Sequence, residues 1–267
     1  WAVGEGGRIV ASSDAGMTWA AQTSNTAFAL NAVWFATPDT GWAVGSNGTI
    51  LRTTNGTSWA STSSGVSDIL YDVCFATHDT GWAVASVGTI LRTFDRGATW
   101  TKTSPTSSAL RSVAFAGTRD GWAVGDNGVI VGTHDRGLTW FIVQPGVTAQ
   151  TLRAVWRSSI ADANAVGDGG TVPRTTLTPA SVAWQNPTTG AGNQLFGVHF
   201  SDASNGWAVG INGTSLIMNT TNGGASWNAQ SASPTFRLNG VYFVDGQRGW
   251  AVGNNGTILH TVTAGEP

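Results

Sequence analysis

The chain is built on a unit of about 40 residues that repeats around the phrase Gly-Trp-Ala-Val-Gly. The phrase recurs at intervals of 40 to 43 residues, and one of its seven copies, at 164–167, has Asn164 in place of the tryptophan. A period of this size, made of short strand-like segments, is typical of a β-propeller, in which each repeat supplies one blade. The tryptophans of the other six copies are Trp1, Trp42, Trp82, Trp122, Trp207 and Trp250.

One repeat predicts four strands, named A to D. Residues 30–35 alternate between the two faces as strand A, 42–45 form strand B, 49–53 form strand C, and strand D lies around Trp59 and ends there. We therefore expect an all-β, seven-bladed β-propeller of four-stranded antiparallel blades, folded as a single domain over 1–267. The predicted blades are approximately 1–24, 28–64, 68–104, 108–146, 150–187, 193–230 and 236–267.

The first and last blades are predicted to be incomplete. Strands B and C occur seven times, but strands A and D occur only six times, so the first blade lacks strand A and the last lacks strand D. The chain begins inside a repeat, and we expect a processed or truncated product whose two ends lie next to each other. Open strand edges invite pairing. We expect either missing residues of the same chain or a strand donated by a neighbouring subunit to cover them.

A second motif follows strand C and reads Ser/Thr-x-Asp-x-Gly-x-Thr-Trp, the Asp-box or bacterial neuraminidase repeat. Its Asp accepts hydrogen bonds from turn amides, its Gly permits a positive φ, and its Trp covers the sheet. We expect a structural role, with largely buried tryptophans, and a cost of roughly 3–5 kcal/mol for Trp100→Ala. The predicted Asp-box residues are Asp14, Gly16, Trp19, Asp95, Gly97, Trp100, Asp135, Gly137, Trp140, Asn222, Gly224 and Trp227.

Blade five departs from the pattern. Besides Asn164, it has Arg157 in place of the usual strand-A Phe, Pro173 inside strand C, and 177–181 where the Asp-box should be. Proline removes a ladder donor, so this blade is expected to be irregular. Relaxed drift and a specialised contact surface both remain open.

The run Leu-x-x-Val-x-Phe, then Gly-Trp-Ala-Val-Gly-x-x-Gly-Thr-Ile-Leu-x-Thr, then the Asp-box, resembles the photosystem II stability/assembly factor family. The best copies are 30–59, 70–100 and 110–140. The resemblance implies a seven-bladed, non-enzymatic propeller that binds protein partners during assembly of a membrane complex, with an arginine patch engaged in binding. It also leads us to expect an extracytoplasmic location, whether secreted, periplasmic or lumenal.

The residues themselves do not indicate catalysis. A sialidase needs a Tyr paired with Glu, but the tyrosines are Tyr71 and Tyr242 and the two glutamates are terminal. A paired-carboxylate glycosidase would have to use Asp126 and Asp168, which are also typical of ordinary turns. The four histidines show no metal-ligand spacing. We expect no enzyme activity, no metal and no cofactor.

Composition narrows the partners further. Charged residues make up only 10% of the chain and the net charge is −2, which gives no drive toward nucleic acid. No apolar run reaches the ~18 residues of a membrane helix, so direct membrane insertion is not expected.

A column of residues at the start of strand A is the candidate binding site. We expect it to surround the channel mouth on one face and to hold an acidic or carboxyl-terminated peptide, or else merely to line a wet channel. A second arginine group lies near the opposite face, and its possible ion-pair partners are Asp39, Asp79 and Asp120 of the A–B loops. This group consists of Arg52, Arg92 and Arg174 late in strand C, with Arg96 and Arg136 in the Asp-boxes. The candidate column consists of Asn31, Tyr71, Arg111, Arg153, Phe196 and Asn239, with Arg237 two residues before the last.

The sequence thus favours a non-enzymatic extracytoplasmic scaffold that binds a protein or peptide partner. Two alternatives remain. One is a carbohydrate-binding or glycoside-hydrolase-type propeller. The other is a structural subunit of a surface assembly or filament that uses the incomplete end blades for contacts.

Overall fold

The computed structural model of the chain describes residues 1–143, 147–159, 162–178, 181–186, 189–190, 192–230 and 235–265. Over these residues the chain forms 26 strands in seven antiparallel sheets, of which the first and last have three strands and the other five have four. The predicted seven-bladed all-β propeller with three-stranded end blades is confirmed. The strands of each sheet follow in sequence order, as short hairpin turns require.

The chain groups into two compact units, and the single domain over 1–267 stays a prediction. Unit 1 comprises Trp1–Ala123 and Val131–Val143. Its blade 1 has β1 (Ala2–Val3), β2 (Ile9–Ala11) and β3 (Ala20–Gln22); blade 2 has β4 (Leu30–Phe35), β5 (Gly41–Gly45), β6 (Ile50–Thr53) and β7 (Ala60–Thr62); blade 3 has β8 (Leu70–Phe75), β9 (Gly81–Ala85), β10 (Ile90–Thr93) and β11 (Thr101–Thr103); blade 4 has β12 (Leu110–Ala116), β13 (Asp120–Gly125), β14 (Ile130–Thr133) and β15 (Phe141–Ile142).

Unit 2 comprises Val124–Ile130 and Gln144–Pro267. Within this unit, strand A of each of the first two blades packs beside strand A of the following blade. Blade 5 has β16 (Leu152–Ser159), β17 (Asp162–Gly167), β18 (Arg174–Thr178) and β19 (Ser181–Gln185); blade 6 has β20 (Gln194–Phe200), β21 (Gly206–Asn212), β22 (Thr214–Thr220) and β23 (Asn228–Gln230); blade 7 has β24 (Leu238–Phe243), β25 (Gly249–Gly253) and β26 (Ile258–Thr261).

Neighbouring blades are joined by stacked aromatic rings. The tryptophan of strand B lies flat on the phenylalanine that ends strand A of the next blade, with centroids 3.6 Å apart for Trp42 and Phe75 and 3.4 Å apart for Trp82 and Phe115. Both tryptophans are fully buried. The indole of Trp82 also donates to the Arg136 carbonyl in the Asp-box of the next blade at 3.1 Å. Strand B therefore carries the ring that joins one blade to the next.

The Asp-box of blade 3 shows how the motif closes its turn. Asp95 accepts hydrogen bonds from the amide and hydroxyl of Thr99 at 2.9 and 2.6 Å, while the Thr93 hydroxyl accepts from the Gly97 amide at 2.9 Å. These bonds to the charged form lower the pKa of Asp95, with the Thr99 hydroxyl as the largest cause. These hydrogen bonds all close within the turn, so the motif holds the hairpin without any contribution from a ligand.

Two expectations about the Asp-box tryptophans need correction. The sequence pattern ends strand D at this residue, but β3, β7 and β11 begin directly after Trp19, Trp59 and Trp100. The reason is that the Trp100 indole donates to the Gly97 carbonyl at 3.2 Å, which keeps the residue in the turn. Trp19, Trp100, Trp140 and Trp227 are also only half-buried, because each meets its phenylalanine or its turn at the edge of the blade rather than inside it.

In five blades the turn between strands B and C is a short 3-10 turn whose central residue is left-handed. These turns span Glu5–Gly7, Ser86–Gly88, Asp126–Gly128, Asp168–Gly170 and Asn254–Gly256. The central residue is Gly or Asn in four of them, but it is Val87 in blade 3, with φ 54°. A β-branched side chain in this region is strained. These turns lie beside the start of strand A, at the end of the blade opposite the Asp-box.

Candidate functional site

Each column residue whose strand pairing is described lies at a β-bulge. The register shifts between Leu30 and Ala32 in β4, and the same shift falls at Tyr71, Arg153, Phe196 and Asn239. A bulge leaves one residue out of the ladder and redirects its side chain. The sequence contains a signal for it, because the spacing of three between the Leu and Val of Leu-x-x-Val cannot keep both on one face of a regular strand. Plain alternation, as predicted for strand A, does not include this bulge.

In unit 2 two arginines meet at one aromatic ring, Arg153 from a bulge and Arg237 from the residue just before β24. The guanidinium carbon of Arg153 lies 4.6 Å from the centroid of Phe196, and that of Arg237 lies 4.5 Å from the same centroid. Both distances are within the range of a cation–π interaction. The column thus comes together in unit 2 as a compact cluster, named here the Arg-Phe-Arg cluster.

The two arginines of this cluster differ in their partners. Arg153 forms a bidentate ion pair with Asp168, the first residue of the adjacent turn, through Nε at 2.6 Å and Nη2 at 2.9 Å. Arg237 donates from Nε to the Asn239 side-chain oxygen at 2.7 Å, and Asn239 donates in turn to Asn254 at 2.9 Å. Across the residues that the structure describes, Arg237 makes no ion pair. It therefore brings a net positive charge, held in place by neutral amides, to the cluster.

In unit 1 the column has a different character. The guanidinium of Arg111 lies over the ring of Tyr71, 4.3 Å from its centroid. The Asn31 amide donates to the Leu70 carbonyl at 2.8 Å, so this residue fastens β4 to β8. Unit 1 therefore presents one arginine on one aromatic ring, while its remaining column residue is engaged by the backbone.

Next to Tyr71, the carboxyl group of Asp72 is part of the packing. It accepts hydrogen bonds from the Ser112 hydroxyl at 2.7 Å and from the amides of Val113 and Val73 at 3.0 and 2.8 Å. Part of the residue reaches the surface, but protein atoms crowd the carboxyl group, and this desolvation raises its pKa to about 6 against the effect of its hydrogen bonds. A raised pKa alone does not make Asp72 a catalytic acid, since its oxygens are used to hold β8 to β12.

The other candidate residues of the sequence analysis make structural contacts. Asp168 gives both oxygens to Arg153, and Asp126 also has a partner. Arg96 pairs with Asp79 at 2.6 Å, while Arg92 donates to the Gly137 carbonyl at 2.9 Å. The second arginine group thus includes an arginine–aspartate ion pair, which is the structural role that the sequence analysis considers for this group.

Three further observations concern metal ions, membrane-spanning helices and a cleft. In the described part of the chain, no group of three or more His, Cys, Asp or Glu side chains is placed to hold a metal ion. None of the described helices has the length and apolarity needed to span a bilayer. A cleft of about 620 Å³ in unit 1 is lined by neutral residues such as Ser24, Asn47 and Ser64. It contains no column residue and no charged side chain.

Blade five has repacked around its exceptional residues. Asn164 occupies the place of the buried tryptophan, so near to Gly224 of the next blade that a side chain at Gly224 would collide with it. Phe200, which would rest on that tryptophan, lies instead on Trp156, with centroids 4.9 Å apart. The aromatic contact is therefore kept but moved from strand B to strand A, where Trp156 lies in the same strand as Arg153.

Comparisons with known proteins agree with this architecture. The model of the family described as photosynthesis system II assembly factor YCF48 matches residues 52–147 and 177–267. A solved structure of YCF48 bound to D1 peptide has a TM-score of 0.76 at 19% identity, over 98% of this chain and 87% of that chain. YCF48 from Cyanidioschyzon merolae has a TM-score of 0.77 at 19% identity, over 98% and 90%.

A more distant likeness extends to an enzyme. An ancestral GH74 enzyme has a TM-score of 0.67 at 13% identity, covering 86% of this chain but only 37% of that chain. No curated protein matches the sequence. At these identities the solved structures establish the propeller fold and nothing about activity.

Proposed function

The chain belongs to the family of photosynthesis system II assembly factor YCF48, and we propose that it is a non-enzymatic propeller that binds a polypeptide segment of a membrane-protein complex during assembly. The relative with a bound D1 peptide supports a peptide as the class of ligand. The observation that carries the proposal is the Arg-Phe-Arg cluster of unit 2.

The chemistry of the cluster suits an acidic or carboxyl-terminated segment. A guanidinium presents five N–H donors in a plane and matches a carboxylate in a bidentate manner. Arg237 uses its Nε on Asn239, which leaves its terminal nitrogens for a ligand. Phe196 offers its ring to the adjoining part of the peptide, while Asp168 neutralises Arg153 and keeps it from competing freely for the same carboxylate.

The proposal excludes hydrolysis as the main activity. Of the two carboxylates that a glycosidase would need, Asp168 is committed to Arg153, and a general acid with its proton at neutral pH is expected to lie free in a cleft. We expect background turnover on chromogenic sialosides and β-glucosides. Turnover that Asp126→Asn or Asp168→Asn abolishes would instead favour a glycosidase.

Calorimetric titration with the D1 peptide, alongside a synthetic acidic peptide with a free carboxyl terminus, tests the proposal. The combined variant Arg111→Gln, Arg153→Gln and Arg237→Gln should lose at least tenfold in affinity, because the charge-assisted hydrogen bond that Arg237 offers the carboxylate contributes ~1.5 kcal/mol or more on its own. Wild-type affinity should fall with added salt, since exposed charges are screened over ~10 Å at 0.1 M.

A matched control is Arg96→Gln, which removes an exposed arginine at the Asp-box end of blade 3. It should bind like the wild type. Salt-insensitive binding, or an unchanged affinity in the triple variant, contradicts the proposal. A free-energy loss in the control equal to the loss per removed charge in the triple variant would mean that net charge, rather than the column, attracts the peptide.

We also propose an extracytoplasmic location, which rests on the sequence resemblance alone. Fractionation of the source cells with protease protection checks it. Recovery of the protein solely with cytosolic markers would contradict this location without bearing on peptide binding.

A further inference from the structure

Unit 2 carries a second row of side chains beside the Arg-Phe-Arg cluster. Trp156, His199 and Tyr242 each lie three residues after the bulge residue of β16, β20 and β24. Their rings are neighbours, with centroids 6.1 Å apart for Trp156 and His199 and 4.5 Å apart for His199 and Tyr242. We name this the aromatic row. It runs across the same three strands as the charged cluster.

The aromatic row is uncharged. The Nδ1 of His199 accepts a hydrogen bond from the Phe243 amide at 3.3 Å, which leaves the ring proton on Nε2. Burial lowers the pKa of His199 to about 4, so the imidazole is neutral near pH 7. Tyr242 closes the row and is 55% exposed. Such an exposed ring, continuous with a half-buried tryptophan and a neutral histidine, offers apolar surface to a partner.

The distance between the two rows suits a short peptide. Three residues of strand span ~10 Å, and somewhat less across a bulge. Side chains two residues apart in an extended peptide are ~7 Å apart, and those three residues apart are ~10 Å apart. The Arg237 guanidinium lies over Phe196, three residues before His199 in β20. A peptide that places its carboxylate there can therefore bring a side chain two or three residues earlier to the aromatic row.

We infer that the aromatic row is a specificity subsite that selects peptides with a bulky apolar side chain two or three residues before the carboxylate. This rests on the proposed function, because the Arg-Phe-Arg cluster sets the position of the carboxylate. The occupant is a peptide rather than a sugar, since the row adjoins a net cation that a neutral carbohydrate would leave unmatched. The arginines attract acidic segments in general, and the aromatic row selects among these segments by their apolar side chain.

The test uses two synthetic six-residue peptides with free carboxyl termini, identical except that one has Leu and the other Ser at both positions two and three residues before the end. Wild-type protein should bind the Leu peptide about tenfold more tightly, since a buried leucine contributes ~1.4 kcal/mol or more. Tyr242→Ala should lose this preference and bind the Ser peptide as the wild type does. Tyr242→Phe should keep it, because the ring remains.

The matched control is Phe94→Ala, another exposed aromatic, which contacts Arg92 at the Asp-box end of blade 3. It should leave the preference unchanged. Equal wild-type affinities for the two peptides, with binding that still weakens in salt, would overturn the subsite and leave the proposed function standing. Absence of binding by either peptide would overturn both. A preference that survives Tyr242→Ala, or tight binding of a neutral oligosaccharide that the Leu peptide displaces, would also overturn the inference.

Discussion

The two ends of each blade differ in what they repeat. At the Asp-box end the side chains themselves recur, and they make the same hydrogen bonds. The Trp42 indole donates to the backbone carbonyl of Arg96 at 2.9 Å, as the Trp82 indole donates to the backbone carbonyl of Arg136 at 3.1 Å. At the bulge end only the backbone recurs. The register shift returns from blade to blade, but its residue is Asn31, Tyr71, Arg153, Phe196 or Asn239.

This contrast separates the residues that support the fold from the residues that are candidates for binding a ligand. A side chain that recurs with its bonds satisfies the same local requirement in every blade, as the Asp-box does for its turn. The side chain at the constant bulge changes from blade to blade, so the bulge itself does not require one residue type, although Asn31 also fastens β4 to β8. The bulge directs the side chain out of the sheet, so its identity is free to follow a ligand.

The largest effect should come from the buried ring between blades at the Asp-box end. Trp82→Ala should destabilise the protein by ~3–5 kcal/mol, because it removes a fully buried ring stacked on Phe115 and leaves a cavity. Trp100→Ala should cost less, ~1–3 kcal/mol, because Trp100 is half-buried and meets Phe75 edge-on at 6.0 Å. Urea unfolding measures both. A Trp100 loss equal to that of Trp82 would contradict the distinction between the two tryptophans.

The next effect tests a bulge-end residue that is structural. The folded pKa of Asp72, about 6, lies above the unfolded value near ~3.9, so folding favours the protonated carboxyl. Its contribution is fully present below pH ~4 and is lost as the pH rises through about 6. The loss is at most ~3 kcal/mol, and less to the extent that water reaches the carboxyl group.

Asp72→Asn should remove this part of the pH dependence. Unfolding free energies of the variant and the wild type between pH 4 and 7 measure the difference. Identical pH profiles would show that the Asp72 carboxyl group is not crowded as the structure has it.

A smaller effect is expected at Val87, where the backbone is left-handed. Val87→Gly should stabilise the protein by ~1 kcal/mol, because glycine takes a positive φ without the steric cost that a β-branched residue meets. The aligned turns, which have Gly or Asn there, show that the backbone does not require valine. Thermal and urea unfolding measure the gain. A loss of stability would indicate that the valine side chain makes a contact that outweighs its strain.

The smallest effect should be at the column itself. Arg237→Gln should change the unfolding free energy by less than ~0.5 kcal/mol, because a partly exposed side chain bonded to Asn239 contributes little to the fold. Its effect should appear in peptide affinity instead. A strongly destabilised Arg237→Gln protein with normal peptide binding would reverse the assignment of the two ends.

Much of the fold was predictable because the same sequence pattern occurs seven times along the chain. The period, the turn residues and the count of strands A to D were enough for the seven blades and for the three-stranded ends. The position of strand D was wrong, since the sequence pattern ends it at the Asp-box tryptophan whereas β3, β7 and β11 begin directly after that residue. That error arose because the indole bonds to Gly97, a contact that no alternation pattern reveals.

The site was predictable as a column but not as a set of contacts. Alignment of strand A identified Arg153, Phe196 and Arg237, and the structure brings them together. It did not show that Asp168 binds Arg153 while Arg237 is held by neutral amides, since Asp168 and Asn254 come from turns 15 residues beyond the column. The repacking of Phe200 onto Trp156 in place of the missing tryptophan was equally out of reach.

The sequence by itself determined the architecture, because a short apolar pattern repeated at a constant period can bury its surface only by packing each copy against the next. It also determined the Asp-box turn, whose hydrogen bonds close within eight residues. Only the tertiary structure decided which arginine is neutralised, which tryptophan is buried and which aromatic rings form a row. Those outcomes depend on contacts between side chains that lie 15 residues apart in one blade or about 40 residues apart in successive blades. The Leu-x-x-Val spacing signals the bulge, but the order of residues along one strand does not state which side chains meet there.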